Sequence, residues 1–112
     1  MEKVIVIVGP TCSGKTYLSL RIAEILKSEI ISADSRQVYK YLNIGTAKPT
    51  ISQLEKVKHH FINELNPDDD CNASMFADKA EIIIEELFEE KINPVVVGGS
   101  GLYIKALIDG IS

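Results

Sequence analysis

Apolar residues are arranged along the chain in short continuous runs separated by stripes at helical spacing. Three of the runs are rich in β-branched residues: Lys3–Val8, Glu29–Ala33 and Pro94–Val97. Unbroken apolar runs of this length are typical of parallel strands that are buried on both faces. We therefore predict three buried strands, the first of which ends at Gly9.

The segments between these runs have the apolar periodicity of amphipathic helices. We predict one helix over about residues 14–27, a second from an N-cap at Asn72 to about residue 91, and a third over about residues 101–108. The first helix is expected to bury Leu18, Ile22, Ile25 and Leu26, and the second Phe76, Ala80, Ile83, Ile84 and Leu87.

The middle of the chain has a weaker pattern. Residues 35–50 are predicted to form a loop, because Gly45 and Pro49 would interrupt a long element. A short helix near 52–57, an extended piece over 59–65 and a turn at 66–70 complete the prediction.

The order of these elements alternates strands and helices, which is the pattern of a parallel sheet covered by helices. We therefore expect an α/β fold, a P-loop NTPase-like parallel sheet flanked by helices, with residues 1–112 as one unit. The final residues do not resemble a domain end, so the domain is expected to be incomplete.

The composition is that of a folded globular chain. Of the 112 residues, 46% are hydrophobic and 25% charged, which excludes disordered and collagen-like classes. No apolar run approaches the ~18 residues of a membrane helix, and the N-terminal run is too short for a signal peptide. We expect a cytoplasmic monomer that does not bind membranes, with Cys12 and Cys71 as reduced thiols.

The net charge of −4 is concentrated in one segment. Residues 78–91 contain six acids and two lysines, whereas residues 15–58 contain eight basic and four acidic residues. The basic part can attract an anionic ligand, although both segments are also compatible with ordinary solvated faces. Nothing in the chain resembles the dense basic surface of a self-sufficient nucleic-acid binder.

Residues 9–16, GPTCSGKT, fit the phosphate-loop pattern G-x-x-x-x-G-K-[ST], with a predicted strand before and a helix after. Gly9 and Gly14 allow backbone N–H groups to turn toward a phosphate. Lys15 adds a positive charge and Thr16 can ligate Mg²⁺. The pattern predicts a di- or triphosphate site but not hydrolysis.

The acid that usually completes an ATPase site is missing from the expected strand. In such sites a carboxylate after a neighbouring apolar strand holds Mg²⁺, but the strand at 94–97 is followed by Gly98-Gly99-Ser100. Asp34 follows the second strand instead. At the carboxyl edge of a parallel sheet it could ligate a metal or accept a proton, and the alternative is a turn or capping aspartate.

Five sequence blocks, in order and spacing, resemble the tRNA dimethylallyltransferases of the IPP transferase family over essentially the whole chain. They are GPTCSGKT at 9–16, DSRQVY at 34–39, IGTAKP at 44–49, HH at 59–60 and VGGSGLY at 97–103. The resemblance implies transfer of a dimethylallyl group from dimethylallyl diphosphate to the exocyclic amine of the adenosine 3′ of a tRNA anticodon. Two positions differ from the usual family residues: Ser100 stands where threonine is usual, and Cys12 where a small residue such as alanine is common.

The resemblance also implies a set of site residues and a cofactor. The catalytic residues it implies are Asp34, as the base that takes the amine proton, Lys15 and Ser100. The diphosphate would be held, with Mg²⁺ on Thr16, by Gly9, Pro10, Thr11, Cys12, Ser13, Gly14, Lys15 and Thr16. The tRNA would contact Asp34, Ser35, Arg36 and Gln37.

Members of this family are longer than the present chain. By that comparison the chain corresponds to an N-terminal part, without the helical insertion that grips the anticodon arm. We therefore do not expect turnover by this chain alone. The alternatives are a P-loop small-molecule or nucleotide kinase, which would bind ATP, and a non-catalytic diphosphate-binding remnant.

The histidine pair at His59 and His60 is predicted to be structural. Adjacent residues on a strand point to opposite faces of the sheet, so the two rings cannot share one metal ion, and no third ligand is nearby.

Overall fold

The described residues form a four-stranded parallel sheet with helices on both faces. The computed structural model describes residues 2–8, 14–35, 37–40, 48–62, 64–66, 69 and 71–111. The strands are β1 (Ile5–Val8), β2 (Ile30–Ser32), β3 (His59–His60) and β4 (Val95–Gly98). Their spatial order is β1-β4-β2-β3, and every neighbouring pair is parallel. This confirms the predicted parallel α/β sheet.

Within the described residues, four helices connect or follow these strands: α1 (Lys15–Leu26), α2 (Ile51–Lys56), α3 (Ala73–Glu89) and α4 (Gly101–Ile111). Caps decide where they begin. The Asn72 side chain accepts a hydrogen bond from the Met75 N–H at 2.9 Å, so α3 begins at the predicted place. A capping box between Thr50 and Gln53 starts α2 one residue earlier than predicted.

A separate apolar core lies on each face of the sheet. The larger core joins α3 and α4 to the sheet through Ile31, Ala33, Val38, Phe61, Phe76, Ala80, Ile84, Val96, Tyr103, Ile104 and Leu107. The smaller core contains Leu20, Ala23, Ile30, Val57 and Val95. Alternate residues of β2 and β4 therefore point to opposite cores, as expected for central strands buried on both faces.

Three aromatic rings in mutual contact, one pair edge-to-face and one pair stacked, tie α3 and α4 to the end of β3. The Phe76 ring lies 5.0 Å from that of Phe61 and 4.9 Å from that of Tyr103, measured between centroids. The Tyr103 hydroxyl donates to the Cys71 carbonyl at 2.8 Å. Burial, followed by this hydrogen bond, raises the pKa of Tyr103, so the phenol stays protonated and keeps donating.

The buried face of α1 differs from the prediction. Ser19, Leu20 and Ala23 are its buried residues, whereas Leu18 and Ile25 are 49% and 72% exposed. Leu26, also predicted to be buried, is exposed, and Ile22 is only partly buried. The helix packs on the sheet through Leu20 and the small residues Ser19 and Ala23, and apolar periodicity did not distinguish this stripe from the neighbouring stripe of larger residues.

Strand β1 is less buried than its continuous apolar pattern predicts. It lies at one edge of the sheet and pairs with β4 on one side. Its exposure alternates, and Val8 is 61% exposed. The prediction of burial on both faces was therefore wrong for Val6 and Val8 and correct for β2.

The extended piece predicted over 59–65 is split in the structure. β3 covers His59–His60 only, because Phe61 has a left-handed backbone conformation (φ 68°). A separate parallel bridge joins Leu65 to Tyr39. Among the described residues, no helix is long and apolar enough to span a bilayer.

Candidate active site at the carboxyl edge of the sheet

The ends of β2 and β4 are held together by backbone hydrogen bonds. The Ala33 N–H donates to the Val97 carbonyl at 2.8 Å, and the Ser100 N–H donates to the Ala33 carbonyl at 3.2 Å. The Ser35 N–H donates to the Ser100 Oγ at 2.9 Å. These bonds fix the backbone on both sides of Asp34.

Gly98 is required for this approach of the two strands. A Cβ atom at residue 98 would collide with the backbone carbonyl of Ala33. The glycine that ends β4 thus allows the chain leaving β2 to pass directly beside it. The sequence showed a strand-breaking Gly98-Gly99 pair, and the structure shows why its first member lacks a side chain.

Asp34 is buried in a tight turn. The residue is 7% exposed, and its Oδ1 accepts a hydrogen bond from the Gln37 N–H at 3.1 Å. The Ser32 hydroxyl donates to Gln37 Oε1 at 3.1 Å, which fixes the amide side chain beside the carboxylate. Asp34 therefore does stabilise a turn, which was one of the two roles considered from the sequence. It also lines a cavity, where its carboxylate can contact a ligand.

The first turn of α1 carries the described part of the phosphate-loop motif. Gly14 adopts a left-handed conformation (φ 82°) that glycine adopts without strain, and α1 begins at Lys15. The Ser19 hydroxyl donates to the Thr16 carbonyl at 3.0 Å within this helix. The motif residues Gly9, Pro10, Thr11, Cys12 and Ser13 lie outside the described residues.

A cavity of about 330 Å³ brings the predicted site residues together. Its described lining includes Gly14, Lys15 and Thr16 of the phosphate motif and Asp34 and Gln37 of the turn after β2. One ligand in this cavity can therefore meet the lysine, the threonine and the carboxylate together.

The remaining predicted residues lie around this cavity or outside the described part. Ser35 and Ser100 contact each other, with 3.5 Å between their hydroxyl oxygens, but neither is among the described lining residues. Ser100 holds the Ser35 backbone, and Arg36 is outside the described residues. Lys48 of the IGTAKP block donates to the Tyr39 carbonyl at 2.6 Å, and burial lowers its pKa.

Several lining residues were not predicted from the sequence. Pro49, Gln53, His59 and Ile62 come from the segment around α2 and β3. Pro49 and His59 belong to the family blocks at 44–49 and 59–60, and Thr50 and Gln53 have the spacing of a capping box, whereas Ile62 had no signal in the sequence. His59 was assigned to packing, whereas the structure places it on the cavity wall.

The two histidines do point in different directions. The His60 Nε2 lies 2.7 Å from Glu29 Oε1, and the His59 Nδ1 lies 2.7 Å from the Val57 carbonyl. Burial lowers the pKa of His59, its bond to Val57 acts in the opposite direction, and His60 lowers it further. Among the described residues, no group of three His, Cys, Asp or Glu could hold a metal ion.

Comparison with known proteins identifies the family to which this arrangement belongs. The model of the IPP transferase family matches residues 37–112, about two-thirds of the chain. The chain belongs to the IPP transferase family. This confirms the resemblance inferred from the five sequence blocks.

Relatives of this IPP transferase chain are similar over almost its whole length. A tRNA dimethylallyltransferase of Thermodesulfovibrio yellowstonii is 48% identical over 110 residues, which are 98% of this chain and 35% of the relative. A solved tRNA isopentenylpyrophosphate transferase of Bacillus halodurans is 43% identical, with a TM-score of 0.91, and is covered over 36% of its length. A eukaryotic dimethylallyltransferase solved acting on tRNA is 34% identical, with a TM-score of 0.88 and 27% coverage. The chain thus spans about a third of these relatives, and its fold is the P-loop NTPase-like fold of the solved ones.

Proposed function

We propose that this chain forms the diphosphate-binding and catalytic core of a tRNA dimethylallyltransferase. The observation that carries the proposal is that Lys15, Thr16 and Asp34 line one cavity. The names of the similar proteins, tRNA dimethylallyltransferase and tRNA isopentenylpyrophosphate transferase, support it. The activity belongs to the cytoplasm, where a tRNA substrate is available.

In this reaction the bond between the allylic carbon and the diphosphate oxygen breaks, and the diphosphate leaves with the bonding electrons. The exocyclic amine of the adenosine 3′ of the anticodon forms the new N–C bond to that carbon. The amine proton passes to the carboxylate of Asp34, which acts as general base. Lys15, in the first turn of α1, stabilises the charge that develops on the leaving diphosphate.

The donor atoms in the cavity fit Mg²⁺. Mg²⁺ prefers oxygen ligands and is usually held by one or two protein oxygens together with substrate phosphates. The Thr16 hydroxyl would hold the ion with the diphosphate, and the ion when bound would neutralise part of the leaving-group charge. Such a site needs only one protein ligand, because the diphosphate supplies the other oxygens. It is therefore compatible with the finding that the described residues contain no cluster of three His, Cys, Asp or Glu.

The residues around Asp34 are proposed to position the tRNA nucleotide. Ser35, Arg36 and Gln37 follow Asp34 directly, and Gln37 lines the same cavity. Ser100 acts through its hydrogen bond to the Ser35 N–H, which holds the backbone beside Asp34.

The proposal is tested with a chimera, because the chain spans about a third of its relatives. Residues 1–112 replace the matched part of the Bacillus halodurans protein, and transfer of labelled dimethylallyl groups to tRNA is measured. We expect transfer that depends on dimethylallyl diphosphate. An inactive but folded chimera, together with tighter binding of ATP than of dimethylallyl diphosphate to the chain itself, would favour the kinase alternative.

A further inference from the structure

A second group of cavity residues has no part in holding phosphate. Pro49, Gln53, His59 and Ile62 line the cavity from α2, β3 and their flanking residues. We call these four residues the α2–β3 wall. It combines two apolar side chains with two neutral polar ones, a composition suited to a planar heterocycle rather than to an anion.

The hydrogen-bonding state of His59 follows from its partner. A carbonyl oxygen can only accept, so the ring nitrogen 2.7 Å from the Val57 carbonyl, Nδ1, carries the hydrogen. Because burial lowers the pKa of His59, the ring is neutral near pH 7, and its Nε2 has a lone pair. On the cavity wall, His59 is therefore a hydrogen-bond acceptor.

The orientation of the Gln53 amide is set in the same way. The Thr50 N–H donates to Gln53 Oε1 at 2.8 Å, and the Gln53 N–H donates to Thr50 Oγ1 at 3.2 Å. Because a backbone N–H needs an acceptor, the amide oxygen faces Thr50 and the amino group is the other end of the side chain. Gln53 therefore offers a donor, and its orientation is fixed by the cap of α2.

Of the groups that take part in dimethylallyl transfer, only the adenine base has hydrogen-bonding atoms that match both the acceptor of His59 and the donor of Gln53. Diphosphate oxygens only accept hydrogen bonds, so a neutral imidazole does not attract them, and the dimethylallyl group forms none. Adenine has an amine that donates beside ring nitrogens that accept. Guanine and hypoxanthine present a carbonyl oxygen where adenine has its amine, and this oxygen would face the lone pair of His59.

We infer that His59 and Gln53 form an adenine-reading pair, in which His59 Nε2 accepts from the exocyclic amine and the Gln53 amino group donates to a neighbouring ring nitrogen. The amine has two N–H groups, so one can go to His59 and the other to Asp34 on the same cavity. Pro49 and Ile62 provide apolar contacts to the ring. This inference rests on the proposed function for the identity of the base.

The test uses the chain itself with two nucleosides that differ at this edge, adenosine and inosine. Their affinities are measured by NMR titration, with the imidazole nitrogens labelled. We expect adenosine to bind at least about fivefold more tightly than inosine, because inosine lacks the amine donor and carries a hydrogen on N1 where adenosine accepts. The His59 Nε2 resonance is expected to shift with adenosine and not with inosine.

Two conservative variants remove a hydrogen bond to the base while keeping the contact that holds the side chain in the fold. In His59→Asn the side-chain N–H can still donate to the Val57 carbonyl, but the shorter side chain has no acceptor at the position of the imidazole Nε2. In Gln53→Glu a carboxylate oxygen can still accept from Thr50, but the donor is lost. Each is expected to lower the affinity for adenosine about five- to tenfold and so to reduce the preference for adenosine over inosine, because hypoxanthine carries a hydrogen on N1 and cannot accept there. His60→Asn, outside the described cavity lining, is the matched control and should leave both affinities unchanged.

Equal affinities for adenosine and inosine, no detectable adenosine binding, or variants that keep the full preference would each overturn the inference. Failure of the proposed function is a different result. An inactive chimera with an intact adenosine preference in the chain would remove the transferase assignment and leave the reading pair. An active chimera without that preference would keep the transferase assignment and remove the reading pair.

Discussion

At the scale of single residues, Lys15 is the cation on the cavity wall that comes from the phosphate motif. Lys15→Ala is expected to weaken diphosphate binding roughly 10- to 100-fold, the usual range for a hydrogen bond to a charged group. Calorimetry with inorganic diphosphate measures this. Lys58→Ala removes an exposed lysine outside the described lining and serves as the control. An unchanged dissociation constant in Lys15→Ala would contradict the assignment of the motif.

Asp34 is expected to affect chemistry rather than binding. In the active chimera, Asp34→Asn should lower the rate of dimethylallyl transfer by roughly 10²- to 10⁴-fold, because the amide cannot take the amine proton. Single-turnover measurements give this rate, and calorimetry gives the diphosphate affinity, which should hardly change. A collapse of diphosphate binding would instead identify Asp34 as a metal ligand.

The buried His59 should also make stability depend on pH. Its pKa is lowered from 6.5 in the folded chain, so the unfolded chain binds more protons as the pH falls through about 6.5. Stability from this group is therefore present above pH 6.5 and lost below it. Urea unfolding between pH 7.5 and 5 is expected to show a smaller loss of stability in His59→Asn than in the wild type. Parallel pH profiles would show that the ring is not held neutral by burial.

At the scale of elements, the contact between the ends of β2 and β4 limits what residue 98 can be. Gly98→Ala is expected to destabilise the chain by about 1–3 kcal/mol, because the two strand ends must separate to admit a methyl group. Chemical denaturation measures this loss. Gly101→Ala is the matched control, since a Cβ there meets nothing within 4 Å. Equal stability of the two variants would mean that the strand ends separate without cost.

The elements themselves could be predicted because they depend on local patterns. Apolar runs located β1, β2 and β4, and the Asn72 cap located α3. The buried side of α1 could not be predicted, because two neighbouring stripes both have helical spacing and only the sheet selects one. The edge position of β1 also depends on strand order, which no local pattern contains.

Only those site residues that belong to a recognisable sequence pattern could be predicted. Gly14, Lys15 and Thr16 followed from the phosphate-loop pattern, and Asp34 from its place after a strand. The α2–β3 wall could not be foreseen, because it depends on the packing of β3 beside β2 far from the motif in sequence. His59 and His60 look alike in the sequence, and only the strand geometry gives them different surroundings.

At the scale of the whole molecule, the charge distribution separates binding of a small anion from binding of tRNA. The net charge of −4 comes from residues 78–91, which contain most of α3. tRNA affinity depends on neutralising many phosphates, so we expect the 112-residue chain to bind a tRNA anticodon arm weakly. Gel-shift titrations of the chain and of the chimera at two salt concentrations measure this. Tight, salt-sensitive binding by the chain alone would contradict it.

The order of the strands has a consequence for synthesis on the ribosome. β1 pairs with β4, and the paired residues Ile5 and Val95 are 90 positions apart in sequence. At about 5–20 residues per second, roughly 5 to 18 seconds pass between translation of the first strand and of its partner. During this time the segment KVIVIV is an unpaired apolar strand that can bind a chaperone or another nascent chain. The segment that follows β1 therefore gains the support of the neighbouring strand only when β4 has been made.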